Sequence, residues 1–486
     1  MQYLIEYPMG KQRLEKHLKQ LVLNIKYEYE DGRISALDLV KAVITKLPLP
    51  LLEEYTQLLF LPLVLQLVND ESKKCRERVG ECITILLSRL SSQVLQSLYE
   101  YAERWSDKKS GIQLARTAVQ LFGLFVDARV DFVKKGGRVE TLVGHLSKTL
   151  DAEIANTDHT SVLIAKEWEM VYFSLQTLEK IGNLLKPHLW KDLTMWSSII
   201  KCLSHPHPWV QLISSRIINS HFSSCELSQF EKVSDNSASI LLNIPGSLFE
   251  ITRNLCFEIN SEEEHQSDGI TTMAIKNLSW IIKIMDKHPS LCFKIKASEL
   301  ADDGSDDDDD GKTNSPVTWL ITRLSNIAKK RGVKRREAVF KCFAAFATVC
   351  EASIIRNHLE LMIGPLHRVI VETEAREETT TFMTNHRTST NSTQTAADLP
   401  NEVLLLLEDK CGTDVFINTL AAVKSKSREK RDNRKQKIAQ EAVLDPENAA
   451  KRRIIKQQKE KNRKKRRVHE RKVGRGVFTK KPRHHS

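Results

Sequence analysis

Apolar residues recur at helical spacing through the first 300 residues of the chain. In the first segment they lie at Leu14, Leu18, Leu21, Val22 and Ile25. Intervals of four, three and one residues place side chains on one face of an α-helix. The segment therefore predicts an amphipathic helix whose apolar stripe packs against a neighbouring element.

A break at Asp31-Gly32 separates this helix from the next one. Ser35 is a residue type that caps helix N-termini, and apolar residues at helical spacing follow it. Pro48 and Pro50 lack the backbone N–H that a helix interior requires. We therefore expect a second helix that is capped by Ser35 and ends before Pro48.

One structural unit recurs along the chain. An apolar helix ends in a short turn, and a second helix begins with a β-branched residue or cysteine beside Lys or Arg and a small residue. The segments that show the unit in whole or in part are 63–90, 111–126, 199–218 and 324–349. Equivalent positions lie near Cys75, Ile112, Val210 and Val333, separated by 37, 98 and 123 residues. These separations are close to one, two and three periods of about 40–47 residues, the period of HEAT and armadillo repeats.

The fold class that follows is all-α: a HEAT/armadillo-like α-solenoid with a basic, largely disordered or helical C-terminal tail. Each helix pair leaves an apolar face that only a neighbouring pair covers, so the pairs must stack. A helical domain without repeats is the alternative, because the four copies are irregular. The predicted divisions are repeats at 1–301, an acidic loop at 302–316, further repeats at 317–372, a polar linker at 373–400, terminal helices at 401–423 and a basic tail at 424–486.

Charge separates the tail from the rest of the chain. The 486 residues carry a net charge of +12. Residues 424–486 hold 25 Lys and Arg against 7 Asp and Glu, a net charge of +18, which leaves −6 for residues 1–423. Within this body, residues 302–310 include seven Asp, a composition that does not pack into a core. A strongly basic extension on a mildly acidic body indicates a polyanionic partner such as nucleic acid.

The basic clusters of the tail are the candidate nucleic-acid-binding residues. They are Lys451, Arg452, Arg453, Lys461, Arg463, Lys464, Lys465, Arg466, Arg467, Arg471 and Lys472. Lys and Arg supply the charges and guanidinium groups that bind phosphates. The residues that also fit a bipartite nuclear-import signal are Lys451, Arg452, Arg463, Lys464, Lys465, Arg466 and Arg467. Phe478 is the only aromatic residue of the tail, so we expect backbone contacts without base stacking. A tail that only raises solubility is the alternative.

Two further clusters have ordinary structural explanations. The first surrounds a predicted turn and consists of Lys329, Lys330, Arg331, Lys334, Arg335 and Arg336. These residues would suit a second phosphate-binding patch, but we favour an exposed turn between two helices. The second is the pair His205 and His207, which also lies in a predicted turn. A metal site needs three or four ligands, so we interpret this pair as part of the turn.

No catalytic, metal-binding or cofactor-binding motif is recognisable in the sequence. We therefore predict that the protein is not an enzyme, has no cofactor and takes no small-molecule substrate. The nine cysteines include no CxxC pair and are expected to be buried, reduced thiols of an intracellular protein. The most apolar run, 58–68, is shorter than the roughly 20 residues that span a membrane, so we expect no membrane partner.

Three blocks and the Lys/Arg-rich end resemble a known family. The blocks are 7–40, 59–79 (LFLPLVLQLVNDESKKCRERV) and 203–219 (LSHPHPWVQLISSRIIN). They look like the C-terminal part of the U-three small nucleolar RNA-associated protein twenty family, also called down-regulated in metastasis, of the small-subunit processome. In organisation the resemblance covers most of 1–423. Members of that family are several times longer, so the resemblance implies a C-terminal portion or a truncated gene model.

The resemblance implies a HEAT-repeat scaffold of the nucleus and nucleolus that supports processing of small-subunit rRNA without catalysing cleavage. Its implied partners are pre-rRNA, small nucleolar ribonucleoprotein and other processome proteins. A HEAT-type nuclear transport receptor or another protein-interaction adaptor is the alternative, although such receptors usually lack a long basic tail. A nuclease with its active site in a repeat groove is a further alternative, but the sequence offers no candidate catalytic carboxylates.

Overall fold

A computed structural model describes residues 10–107, 111–156, 168–185, 193–224, 246–260, 268–287, 315–330, 332–381, 391–447 and, except for 456, 460 and 463, 450–465. Within these residues the chain is helical and contains no β-strand. The chain divides into two compact units, Met1–Lys410 and Cys411–Ser486. The predicted all-α class is therefore confirmed.

The first unit consists of consecutive helices joined by short turns or by longer segments. Its helices are α1 Lys11–Asn24, α2 Glu30–Lys46, α3 Leu49–Glu54, α4 Thr56–Asn69, α5 Lys73–Arg89, α6 Ser92–Ser106, α7 Ile112–Ala128, α8 Val130–Lys134, α9 Arg138–Asn156, α10 Trp168–Leu184, α11 Leu193–Cys202, α12 Pro208–Ser224, α13 Ser247–Asn260, α14 Asp268–Lys287, α15 Pro316–Lys329, α16 Val333–Val349, α17 Ala352–Thr381 and α18 Asn391–Cys411. The second unit contains α19, Thr413–Leu444.

The helices of the first unit pair into hairpins that stack side by side. In the described residues the pairs are α1/α2, α4/α5, α6/α7, α9/α10, α11/α12, α13/α14 and α15/α16. The second helices of these pairs pack each against the next, from α2 through to α16, and so form one continuous layer. This is the architecture of a HEAT/armadillo-like solenoid, in which each repeat contacts its neighbours. The four positions aligned in the sequence all fall in the first three residues of second helices.

The core lies between the two helices of each pair and between successive pairs. The stripe predicted for α1 is buried, with Leu18 at 1% and Ile25 at 0% exposure. Burying such a side chain contributes about 1.5–3 kcal/mol relative to leaving it in water. Farther along, Tyr99 packs edge-on against Phe125 with ring centroids 5.3 Å apart, which joins α6 to α7.

An arginine at the fourth residue of three second helices binds carbonyl groups in the preceding turn or at the end of the preceding helix. Arg33 donates to the carbonyls of Tyr27 and Glu28 at 3.0 and 2.9 Å. The same bonds run from Arg76 to Asp70 and Glu71, at 2.6 and 3.0 Å, and from Arg336 to Ala328 and Lys330, both at 3.2 Å. Turn carbonyls and the last carbonyls of a helix have no partner within the helix, so each arginine supplies a missing donor and fixes the turn between the paired helices.

The second helix begins earlier than its sequence indicated. Helix α2 starts at Glu30 and includes Gly32 and Ser35, so the predicted cap at Ser35 is wrong. Glu30 and Asp31 stand in the first turn, where negative charge interacts favourably with the helix dipole. Glycine weakens a helix interior but is tolerated in this first turn, and the predicted end before Pro48 agrees with the last residue, Lys46.

The polar segment 373–400 is more helical than expected. Helix α17 continues to Thr381 and α18 begins at Asn391, so both ends of the predicted polar linker 373–400 are helical. The Glu, Ala and Arg residues near the end of α17 have high helix propensity. Polar composition predicted exposure but did not distinguish a loop from a helix. Residues 382–390 lie outside the described part, as do 302–314 of the acidic loop.

The tail boundary at 423/424 lies inside a helix. Helix α19 runs without a break through this point, from Thr413 to Leu444, so the terminal helices and the start of the tail are one element. Helix α19 ends at Leu444, and the chain is helical again from Pro446. The remaining domain boundaries stay predictions.

Candidate nucleic-acid interface

The tail residues chosen from the sequence lie partly within the described structure. Those that are described are all helical and exposed, and they are Lys451, Arg452, Arg453, Lys461, Lys464 and Lys465. Those outside the described residues are Arg463, Arg466, Arg467, Arg471 and Lys472. Exposure leaves the described charges accessible to a polyanion. The assignment of all eleven to phosphate binding and of seven to nuclear import stays a prediction.

Helix α19 adds eight cations that the candidate set omitted. Four recur at intervals of four, three and four residues: Lys424, Arg428, Arg431 and Lys435. Four others recur at intervals of four, four and three residues: Lys426, Lys430, Arg434 and Lys437. At about 100° per residue these intervals give two parallel stripes along about 20 Å of helix. The spacing is present in the sequence and lies within the predicted tail, but the candidate set was drawn from the clusters at 451–472.

The two stripes share one broad side of α19. Glu429 and Asp432, the acidic residues within 424–437, project from the remaining side by the same helical geometry. Every residue from Lys424 to Lys437 is exposed. The segment therefore presents eight positive charges in an ordered array with a net charge of +6. Such an array suits phosphates, because exposed cations that neutralise them release condensed counterions.

Ion pairs in the second unit leave this excess largely intact. Lys435 pairs with Asp432 at 3.7 Å, and both side chains are well exposed. Arg452 pairs with Glu441 at 2.5 Å across the break at Asp445. Exposed pairs of this kind contribute about 0–1 kcal/mol, so a polyanion can displace them. The second pair brings the start of the next helical stretch back toward α19.

The basic cluster at 329–336 serves the fold in the described residues. Arg336 binds helix-end carbonyls and forms an ion pair with Glu372 at 2.8 Å. Arg335 donates to the carbonyl of Asn260 at 2.9 Å. Lys329 donates to the Asn326 side chain at 2.7 Å. The structural interpretation is therefore confirmed for these residues, while Arg331 lies outside the described part of the chain.

The predicted histidine turn is also observed. Helix α11 ends at Cys202 and α12 begins at Pro208. Nδ1 of His205 accepts a hydrogen bond from the backbone N–H of His207 at 3.0 Å, and Nδ1 of His207 accepts one from Trp209 at 3.3 Å. Both rings thus bind the backbone of the turn, as expected for residues that shape it.

The described cysteines are buried. Seven are free thiols, namely Cys75, Cys82, Cys202, Cys256, Cys342, Cys350 and Cys411. Burial raises the pKa of Cys82, Cys202, Cys256 and Cys350 to about 12. The thiolate is the reactive form, so these side chains stay protonated and chemically quiet at neutral pH. Cys225 and Cys292 lie outside the described residues.

Across the described helices, none is both long and apolar enough to cross a membrane.

Relatives with curated names match nearly the whole chain. One is the U3 small nucleolar RNA-associated protein 20 of Schizosaccharomyces pombe, 27% identical over 92% of this chain and 16% of the relative. Another is the protein of the same name from Saccharomyces cerevisiae, 24% identical over 94% of this chain and 17% of the relative. The chain thus spans about a sixth of the length of these relatives.

Solved structures with some likeness are helical-repeat proteins. Importin beta, crystallised in a polyethylene glycol condition, is 12% identical, and the match covers 85% of this chain and 49% of importin beta with a TM-score of 0.40. A designed armadillo repeat protein, YIII(Dq)4CqI, is 15% identical, with 54% of this chain and 99% of the designed protein covered and a TM-score of 0.29.

Residues 114–473, about three quarters of the chain, match one protein family. The match begins in α7 and extends through α19 into the basic tail, so it includes the later hairpins, from α9/α10 to α15/α16, and the candidate interface. The chain therefore belongs to the family described as small subunit processome component 20 homolog, C-terminal.

Proposed function

We propose that the chain is part of a non-catalytic nucleolar scaffold that supports ribosome biogenesis as a component of the small-subunit processome. The names of the two curated relatives support a role in association with U3 small nucleolar RNA. In this proposal the stacked hairpins dock processome proteins and structured RNA. The basic tail binds the sugar-phosphate backbone of pre-rRNA or of the small nucleolar ribonucleoprotein.

The observation that carries the proposal is the exposed array of cations on α19 and beyond. Eight cations lie within 424–437, and residues 424–486 carry a net charge of +18. If the tail neutralises six to ten phosphates, affinity for RNA falls by roughly 10³–10⁵ between 50 and 200 mM salt. Binding through charge alone gives tight association with little dependence on RNA sequence.

The salt dependence of RNA binding tests this role. A variant in which one α19 stripe is changed to glutamine (Lys424, Arg428, Arg431 and Lys435) keeps residues of good helix propensity. Each phosphate contact to single-stranded RNA contributes about −0.7 to the slope of log K against log salt, so we expect the slope to become shallower by up to about 3. Affinities measured by filter binding at several salt concentrations give this slope.

A matched control removes four exposed charges from the first unit. It carries the changes Lys16→Gln, Lys19→Gln, Lys26→Gln and Lys46→Gln, all at exposed positions. We expect its slope to equal that of the unmodified protein. A stripe variant with an unchanged slope, or a control with an equal loss, would show that the tail is not the principal phosphate-binding segment.

We also propose that Lys451, Arg452 and the run 463–467 form a bipartite nuclear-import signal and that the tail directs nucleolar accumulation. Lys451 and Arg452 are exposed, which an import signal requires. A fluorescent fusion that lacks 424–486 should be lost from nucleoli. Unchanged nucleolar fluorescence would assign the targeting to another part of the protein.

A further inference from the structure

An open groove crosses the layer of second helices in the first unit. Its cavity of about 530 Å³ is lined by side chains of α5, α7, α10 and α12 and by the end of α4. The four helices belong to consecutive repeats, so the groove exists only when the repeats stack. Residues that are up to 142 positions apart in sequence, from Leu67 to Trp209, meet in it.

A cluster of aromatic rings forms one end of the groove. Trp168 stacks flat on His207, with ring centroids 3.7 Å apart and an angle of 3° between the planes. Trp209 meets Trp168 edge-on at 5.4 Å and Tyr172 at 6.0 Å. Although its edge is held by these neighbours, Trp209 stays 54% exposed. A large aromatic ring that is fixed by its neighbours and exposed to solvent is well suited to stack against another flat group.

Charged and amide side chains line the rest of the groove. The cations Lys73, Arg76, Arg116 and Lys180 outnumber the carboxylates Glu77 and Glu169. Lys73 and Glu77 form an exposed pair at 3.6 Å, and Arg116 pairs with Glu169. Lys180 pairs with Asp127 at 2.6 Å, beside the groove.

Arg76 differs from these cations because its guanidinium donates to the neutral carbonyls of Asp70 and Glu71. Its charge is therefore not neutralised by those bonds. The groove has a modest positive excess next to its aromatic platform.

Gln120 and Gln176 complete the lining. Each amide offers both donors and an acceptor, which is what the edge of a nucleobase requires. Aromatic faces, cations and amides together are the means by which proteins bind unstacked bases of single-stranded RNA. The carboxylates of an acidic polypeptide would use the cations but would leave the exposed indole ring uncovered, whereas a base covers it.

We propose that this groove binds a single-stranded RNA segment, with a nucleobase stacked on Trp209 and the adjoining phosphates near Arg76 and Arg116. The inference rests on the proposed function, since it names a second RNA contact of the same scaffold. It assigns the two contacts different tasks. The tail holds phosphates irrespective of base, whereas the groove distinguishes an unpaired nucleotide from bare backbone.

A comparison of two oligomers with the full-length chain tests the groove. One is a 12-nucleotide oligouridine and the other is an abasic ribose-phosphate oligomer of equal length and charge. Base stacking on an aromatic side chain is worth about 5- to 150-fold in affinity, so oligouridine should bind more tightly by a factor in this range. Fluorescence anisotropy with end-labelled oligomers measures both dissociation constants at one salt concentration.

Substitutions then locate the preference. Trp209→Ala should remove the preference for oligouridine and leave abasic binding unchanged, whereas Trp209→Phe should retain part of it. Trp105→Ala is the matched control, because Trp105 is a partly exposed indole on α6 that stacks on Tyr101 outside the groove. Circular dichroism and thermal unfolding establish that the variants are folded, and the Phe variant decides the matter if the Ala variant is not.

The outcomes separate this proposal from that of the tail. The glutamine stripe variant of α19 should weaken both oligomers equally and leave their ratio intact, so either role can fail without the other. Equal affinity of the unmodified protein for the two oligomers, or an unchanged preference in the Trp209 variants, would overturn the base-binding groove. Polyglutamate that competes for the groove with a Trp209-dependent affinity above that of oligouridine would assign it to an acidic polypeptide instead.

Discussion

The pKa of a buried titratable side chain in this protein depends on whether neighbouring groups offset the loss of solvation. Burial acts to raise the pKa of Asp70, but hydrogen bonds from Gln66, the backbone N–H of Ser72 and Arg33 hold the pKa below its usual value. The Arg33 bonds are bidentate, at 2.9 and 3.0 Å. Asp70 is therefore a charged link between the first two repeats. His221 shows the opposite balance, because burial dominates and lowers its pKa from 6.5 to about 4.

The contribution of His221 to the stability of the protein should consequently fall in mild acid. The unfolded chain binds a proton on His221 below about pH 6.5, whereas the folded chain resists it until about pH 4. The contribution of neutral His221 is thus complete above pH 6.5 and is lost as the pH falls toward 4, by about 3 kcal/mol in total.

Chemical denaturation at a series of pH values between 7 and 4 measures this loss. We expect His221→Phe to show a flatter dependence than the unmodified protein, whatever its stability at pH 7. The exposed His17 serves as control, because His17→Gln should leave the dependence unchanged. Parallel curves for the unmodified protein and His221→Phe would contradict the assignment.

Residue-level chemistry was partly predictable from sequence. The nine cysteines without a CxxC pair indicated buried thiols, and the described seven are buried and free. The bond between Arg33 and Asp70 was not predictable, since it joins two turns that are 37 residues apart. The aromatic cluster around Trp209 was not predictable for the same reason. Trp168 and Trp209 come from different repeats, and neither position is distinctive alone.

At the level of elements, an arginine links the two helices of a pair. It stands at the fourth residue of α2, α5 and α16 and donates to carbonyls at the end of the preceding helix or in the turn. When a part-buried carbonyl at a helix end loses such a donor, the cost in free energy exceeds the net contribution of one ordinary hydrogen bond. The three arginines thus fix the turns of their own pairs.

Arg336→Gln should therefore destabilise the protein. Its side chain is 13% exposed and also pairs with Glu372, and hydrogen bonds to charged groups are worth about 1.5–3 kcal/mol each. We expect a loss of about 2–3 kcal/mol, seen as a lower midpoint in urea denaturation. Lys334→Gln removes an exposed charge two residues away and should change the midpoint little. Equal effects of the two substitutions would mean that charge alone, and not helix-end binding, matters.

Helix boundaries were less predictable than helices. Each apolar stripe identified in the sequence is a helix, because burial of one face dominates local preference. The start of α2 was placed at Ser35 since serine is a frequent cap, yet the helix begins five residues earlier, at Glu30. The polar ends of α17 and α18 were interpreted as linker because polarity reports exposure and not backbone conformation.

For the whole molecule, stacking makes stability local. Each hairpin contacts its neighbours, so a defect should propagate over one or two repeats and then fade. The sequence indicated four copies but not those around α2, α10 and α14. Longer segments between helices make the spacing irregular around α10 and α14, whereas α2 precedes α5 by 43 residues, within the expected period. Second helices begin at Glu30, Lys73, Ile112, Trp168, Pro208, Asp268 and Val333, intervals that no single period fits.

A cavity in one repeat tests this locality. Phe343 on α16 is 0% exposed, and truncation of a buried phenylalanine to alanine costs about 3–5 kcal/mol. In Phe343→Ala we expect amide hydrogen exchange to quicken in α15 to α17 and to stay unchanged in α2 to α6. Phe257→Ala, at a side chain that is 64% exposed, should change neither region. Uniform acceleration along the chain would indicate a single cooperative unit.

The buried thiols provide a natural probe of how often each hairpin opens. Cys82 belongs to the second hairpin, Cys202 to the fifth and Cys342 to the seventh, all between 0% and 1% exposed. An alkylating reagent should reach each sulfur only while its own hairpin is momentarily open. The order in which these three cysteines become labelled would then rank the hairpins by how often they open, with no probe added to the protein.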